Sequence, residues 1–250
     1  MSLEIVTPAP PSRFADTSVS LQIEDSVDFA IMTESAVGVR GRPGIGKSST
    51  IGRILAAQGS HAAAFEVPAG NGTQRNIIKW ACTALDAPSW GGQHIGGLIA
   101  HVRDKTRLNF SCLIVDEIQN ADAAAIRILL SLNEHAGLPL IMVGNEDALK
   151  SPANKTAAWE QISDRVTKIV QLETSLAKDA EAIARVWGAN LPDTLKVVLA
   201  FAETHSLRRV VQLLNTARAL AEGGGELTVS NIEVALGYLR PPSVKRGEAA

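Results

Sequence analysis

Cysteine is scarce: Cys82 and Cys112 are the only two in the chain, and each lies in an apolar run. There is no CxxC pair and no metal-ligand spacing, so a disulfide framework and a zinc site are not expected, and both thiols should be buried. Aromatic residues make up only 4% of the chain, with a single tyrosine. Trp80, Trp90, Trp159 and Trp187 are too scattered to form a base-stacking platform, and are expected in the core or at interfaces. None of the five histidines pairs with Cys or Glu at metal spacing. Long hydrophobic runs are missing, since no stretch approaches the roughly 20 apolar residues of a membrane span. The opening MSLEIVTPAPPSRF lacks the charged-then-apolar form of a signal peptide, so a cytoplasmic protein with no membrane contact is expected. Neither charge sign dominates: 24 Lys and Arg face 26 Asp and Glu, a net charge of -2. Any nucleic-acid contact must therefore come from a local basic patch. G-x-S-x-G and Cys-His signatures are absent, as are internal repeats and low-complexity tracts.

Hydrophobic residues reach 46%, enough for a sizeable core. Short apolar strands are predicted at Ala36–Arg40, Ala62–Val67, Cys112–Val115, Leu140–Val143 and Thr167–Leu172, alternating with helical spacing. Strands alternating with helices predict a parallel sheet covered on both faces. After Leu172 only helices are expected, at Lys178–Trp187, Thr194–His205, Leu207–Glu222 and Ser230–Arg240. The last has an S-x-x-E capping box at Ser230 and Glu233. The expected organisation is an extended arm over residues 1–20, an α/β domain over 21–173, a small all-helical domain over 174–240 and a disordered tail over 241–250.

The segment GRPGIGKS, Gly41 to Ser48, fits G-x-x-x-x-G-K-S/T with a buried strand before it and a helix after it. In such a loop the glycines let backbone N–H groups turn inward around the phosphates, and Gly41, Pro43, Gly44, Ile45, Gly46 and Ser49 are expected to line the nucleotide. Lys47 supplies a point charge to the β and γ phosphates, the Ser48 hydroxyl holds magnesium, and the helix directs its positive end at the anion. ATP and Mg2+ are the expected cofactors. The strand LIVDE ends in Asp116 and Glu117. Asp116 at a strand's carboxyl end can complete the magnesium shell, and Glu117 can orient and deprotonate a water. Asp116 and Glu117 could also serve merely as helix-opening acids. The strand LIMVG is followed by Asn145, which could position that water if its strand lies beside the P-loop strand, or could simply make a turn. Asn145, Glu146, Asp147 and Ala148 do not form the N-K-x-D guanine motif, so ATP rather than GTP is expected.

These motifs, with a helical lid after Leu172, resemble the AAA+ ATPases. Within them, the segments Thr33–Ser48, Leu113–Glu117, Leu140–Asn145, Ile162–Val166, Asp179–Trp187 and Ser206–Ala221 are similar to the target-capture ATPases of transposing phage and of Tn7-type and IS21-type transposons. The likeness runs from about residue 10 to about residue 239. It implies an ATPase that oligomerises as a filament or ring on non-specific double-stranded DNA, with ATP between subunits, in a bacterial host cell. A transposase would receive the DNA, and hydrolysis would release the assembly. By the same resemblance Arg165 looks like an arginine finger, with pairing to Asp164 as the plain alternative, and Arg208 or Arg209 looks like the lid arginine. Thr73, Gln74, Arg75, Lys79, Lys105 and Arg107 occupy the positions of DNA-facing loops, though such residues are also ordinary solvated helix faces. One member of the family carries a helix-turn-helix domain before the ATPase, whereas this sequence begins at the equivalent of the linker. Two other readings stay open: a loader or remodeller of replication proteins on the same fold, and a binding module that uses ATP with little turnover.

Overall fold

A computed structural model of the chain describes residues 7–8, 13–87, 95–106, 111–150, 157–221 and 225–239, with backbone alone for 60, 104–106, 157 and 158. Two compact units form: residues 19–173, and residues 13–18 with the helices that follow Thr174.

The first unit holds helix α1 (Ser18–Thr33), strand β1 (Ala36–Arg40), α2 (Lys47–Gln58), β2 (Ala62–Glu66), α3 (Gln74–Ala84) and α4 (Ile95–Thr106). Then come β3 (Cys112–Asp116), α5 (Ala123–Ala136), β4 (Leu140–Gly144), α6 (Ala157–Arg165) and β5 (Lys168–Gln171). The five strands pair in parallel in the order β2-β3-β4-β1-β5. Parallel strands need a crossover between neighbours, and here helices supply it, covering both faces of the sheet. Alternation along each strand sorts the core into two layers. Leu113, Val115, Leu140 and Met142 pack with Ile77, Trp80 and Leu129 of α3 and α5, while Cys112, Ile114, Ile141 and Val143 pack with Ile23 and Val27 of α1 and Ile51 of α2. Both cysteines are buried free thiols, and burial pushes Cys112 up to about 12.

The connection leaving β1 runs past β4 and β3 to β2, whereas that leaving β4 runs past β1 to β5. The loops after β1 and β4 therefore diverge, and a crevice opens at the carboxyl ends of the strands. The segment Gly41–Ser48 lies in that crevice.

The second unit contains α7 (Leu176–Val186), α8 (Pro192–Ala202), α9 (Leu207–Leu220) and α10 (Val229–Leu239) around a core of Ile183, Trp187, Val198, Val210, Leu214 and Ile232. Buried Asp179 accepts from both the amide and the hydroxyl of Ser18, at 2.6 Å each, which anchors residues 13–18 to this unit. The cap of α10 lies two residues earlier than the Ser230–Glu233 box expected from the sequence. The Thr228 amide donates to Asn231 Oδ1 at 2.9 Å, and the Asn231 amide donates back to Thr228 Oγ1 at 3.4 Å. Thr228 leads the reciprocal pair because the helix starts at Val229, which leaves Ser230 inside the first turn.

Candidate nucleotide-binding site

The loop after β1 has the backbone such a loop needs. Gly44 and Gly46 sit at φ 76° and 103°, in the left-handed region that favours glycine. Gly46 is the N-cap of α2 and has no side chain to occupy the amides of the first turn. Gly41 has no room for a Cβ, which would come within 2.9 Å of Ile45 and of Leu172. Its amide donates to Gly144 O at 3.2 Å, which joins the loop to the end of β4. Lys47 is buried, and its Nζ donates to Gly41 O and Arg42 O at 2.9 Å each. The ammonium is thus folded over the concave side of the loop, where a phosphate would offer it a stronger, charged acceptor.

Asp116 closes β3, one residue further than the strand read from the sequence, and is fully buried. Ser48 Oγ donates to its Oδ2 at 2.7 Å, and the Glu117 amide donates to its Oδ1 at 2.8 Å. The fold brings Ser48 and Asp116 into contact across 68 positions of chain. Burial pushes the Asp116 carboxyl above its ordinary value; the bonds from Ser48 and Glu117 and the Lys47 charge oppose that, while the Glu117 charge adds to it. Two oxygen ligands in contact, one of them a buried carboxylate short of positive charge, form a donor set that fits a hard divalent cation such as magnesium.

Glu117 adopts φ 54° and ψ 37°, a left-handed conformation costing a non-glycine residue roughly 1–2 kcal/mol. Gln119 Nε2 donates to Glu117 Oε2, and Gln119 Oε1 accepts from the Asn145 amide at 3.0 Å. Asn145 follows β4, which lies between β1 and β3, so its backbone sits beside the P-loop strand. Its side-chain carbonyl accepts from the Asp147 amide at 2.9 Å, the local turn that the sequence left as the alternative.

The turn after β3 is also bonded to the loop after β2. Asn120 Nδ2 donates to Val67 O at 2.8 Å, the Asp122 amide to Gly72 O at 3.0 Å, and Gly72 bridges Ala121. Gly72 allows this because a Cβ there would lie 2.0 Å from Asn120 O. Thr73, Gln74 and Arg75, exposed at the start of α3, and half-buried Lys79 continue directly from that loop. The Lys105 side chain and Arg107 lie outside the described residues, as do Trp90 and His94.

Sequence reasoning missed two members of this cluster. Glu66 ends β2 in register with Asp116. Its carboxyl is raised first by burial, then by the charges of Asp116 and Glu117. Gln119 links Glu117 to β4. The only sequence signals were a carboxylate at a strand's carboxyl end and a glutamine two places after Glu117.

Arg165 ends α6, and its Nε meets Glu134 Oε1 at 3.1 Å, so its partner is Glu134 of α5 rather than Asp164. Arg208 and Arg209 are exposed in the first turn of α9, in the helical unit, and Arg209 donates to Gln212 at 3.2 Å.

A family model for an AAA domain matches residues 31–151. The DNA transposition protein B of the Mu-like prophage FluMu of Haemophilus influenzae is 28% identical over 207 residues, covering 79% of this chain and 70% of that protein. The ATP-dependent target DNA activator B of Escherichia phage Mu is 25% identical over 224 residues, covering 88% of this chain and 70% of the relative. Among solved structures, the ORC2 protein of Aeropyrum pernix (ADPNP-ADP complexes) superposes with a TM-score of 0.59 at 17% identity, over 95% of this chain and 71% of that one, a likeness of fold alone. Residues 31–151 thus carry an AAA domain on a P-loop fold, and the transposition proteins B of Mu-like phages are among the chain's homologues.

Proposed function

We propose that this chain is an ATPase that assembles on double-stranded DNA when ATP is bound, presents that DNA to a transposase, and leaves it on hydrolysis. The observation that carries the nucleotide chemistry is the contact of Ser48 with buried Asp116 beside Lys47, with Glu117 next in the chain. The target-DNA role rests on the relatives, whose names describe target DNA activators that depend on ATP.

In this reading the backbone amides of the loop and Lys47 hold the phosphates, and Ser48 and Asp116 hold magnesium. Held by those two residues, the ion would supply positive charge against the negative charge that develops on the phosphates. Glu117 takes a proton from a water whose oxygen bonds to the γ phosphorus as the bond to the bridging oxygen breaks, which yields ADP and phosphate. The Asn145 loop orients that water. Arg165 of an adjacent copy and Arg208 or Arg209 stabilise the charge in flight. Thr73, Arg75 and Lys79, with Lys105 and Arg107, contact phosphates of the DNA without reading sequence. No described helix is long and apolar enough to cross a membrane, and the site of action is the cytoplasm of the bacterial host.

The test is binding to random-sequence double-stranded DNA with and without ATP, across a salt series, for wild type and Lys47→Ala. Binding should require ATP and Lys47, yield large assemblies and fall steeply with salt, as phosphate contacts dictate. Tight ATP binding without DNA affinity at low salt would remove the DNA role and favour a remodeller or an ATP-dependent binding module.

A further inference from the structure

We propose that Gln119 is a positioning residue that fixes the Glu117 carboxylate to the end of β4 and so sets the rate of ATP hydrolysis. The inference rests on the reading of Glu117 as general base. Both ends of one amide are engaged: Nε2 donates to Glu117 Oε2 while Oε1 accepts from the Asn145 amide. Only a group with a donor and an acceptor on a side chain of this length can do both. Glutamate keeps the acceptor and loses the donor, and asparagine is one methylene short.

The surroundings hold the amide in place. Gln119 sits in the single helical turn Ile118–Asn120, whose last residue is bonded to Val67. Gly144 makes the space, since a Cβ there would lie 2.5 Å from Gln119 Oε1. Glu117 lies just past the end of β3 with a left-handed backbone, and the Gln119 amide is bonded to its carboxylate. The Asn145 amide at the other end of the tether lies in the loop that the reading above places near the attacking water. Gln119 therefore relates the position of the base to the position of the loop, and misplacing a catalytic group by about 1 Å can cost on the order of a hundredfold in rate.

The experiment measures steady-state ATP hydrolysis by the full chain with DNA present, nucleotide affinity and thermal melting for Gln119→Glu, Gln119→Met, Glu117→Gln and the double variant Glu117→Gln with Gln119→Met. Both Gln119 variants should lower kcat by about tenfold or more, with KM and nucleotide affinity within about twofold of wild type. Gln119→Met should add no loss to Glu117→Gln, since the two act as a unit. Gln119→Glu retains the acceptor for Asn145, so it reports on the donor bond even if Gln119→Met folds poorly. An unchanged kcat in Gln119→Glu, or parallel loss of kcat, affinity and melting temperature in both variants, would overturn the proposal. If Glu117→Gln hydrolyses ATP at the wild-type rate, the general-base reading falls and takes this inference with it. If Glu117→Gln is inactive and the Gln119 variants are not, only the inference falls.

Discussion

Asp116 is a fully buried carboxylate with Ser48, the Glu117 amide and Lys47 around it, and burial still holds its carboxyl above the ordinary range. The folded state therefore binds this proton more tightly than the unfolded chain. The stability this contributes is present below the unfolded aspartate pKa and is lost as pH rises through the folded value. At neutral pH the ionised group is a cost that a divalent cation would relieve. Asp116→Asn keeps the shape and removes the charge. In nucleotide-free protein it should melt higher than wild type, with a gap that widens from mildly acidic to neutral pH. It should also lose the extra melting temperature that magnesium adds to ATP. Differential scanning fluorimetry across pH, with and without the ion, measures both. Lys47, Ser48, Asp116 and Glu117 could be singled out in the sequence because spacing within short motifs marks them as candidates. Glu66 and Gln119 could not, because a single Glu or Gln carries no pattern until pairing of β2 with β3 and the fold of the turn bring it to the cluster.

At the scale of elements, the turn after β3 and the loop before α3 behave as one piece, held by Asn120, Asp122 and Gly72. The atoms that a Cβ at Gly72 would strike are backbone atoms of Asn120 and Ala121, which cannot swing aside as a side-chain tip can. Gly72→Ala should therefore destabilise the first unit by about 1–3 kcal/mol, the usual range for overpacking. It should also lower hydrolysis by disturbing the turn that carries Glu117 and Gln119. Denaturant unfolding beside a turnover assay checks both; native stability and full turnover would show that the two loops are not held together. Helix and strand positions were read well because apolar residues are concentrated in strands β1 to β4, which are buried on both faces. Ends were read less well. The cap of α10 moved from Ser230 to Thr228 because a cap depends on where the first helical residue falls, and that is settled by Asn231 bonding back to Thr228.

For the whole molecule, the proposed assembly asks Arg165 of one copy to serve the nucleotide of the next. Within one chain Arg165 pairs with Glu134, and both side chains are about one-third exposed. Such a pair is worth roughly 0–1 kcal/mol, weak enough to be exchanged for a γ phosphate. Arg165→Ala should bind ATP normally and hydrolyse it slower by about 10³-fold or more, as expected when an arginine finger is lost. Lys47→Ala should fail at the phosphates. Mixing the two should recover part of the activity, since each lacks what the other supplies; a mixture no more active than its parts would place Arg165 outside its neighbour's site.

The order of residues alone determined the P-loop, the acidic strand end, the alternation of strands and helices, and the change to helices after Leu172. These are local patterns, set by backbone permissiveness, side-chain period and the need to bury apolar faces. Only the tertiary structure decided which distant groups meet: Ser48 with Asp116, Glu66 beside both carboxylates, Gln119 between Glu117 and Asn145, Asp179 under Ser18, and Arg165 against Glu134. Strand order and the packing of loops set those contacts, and all but that of Gln119 with Glu117 join residues far apart along the chain.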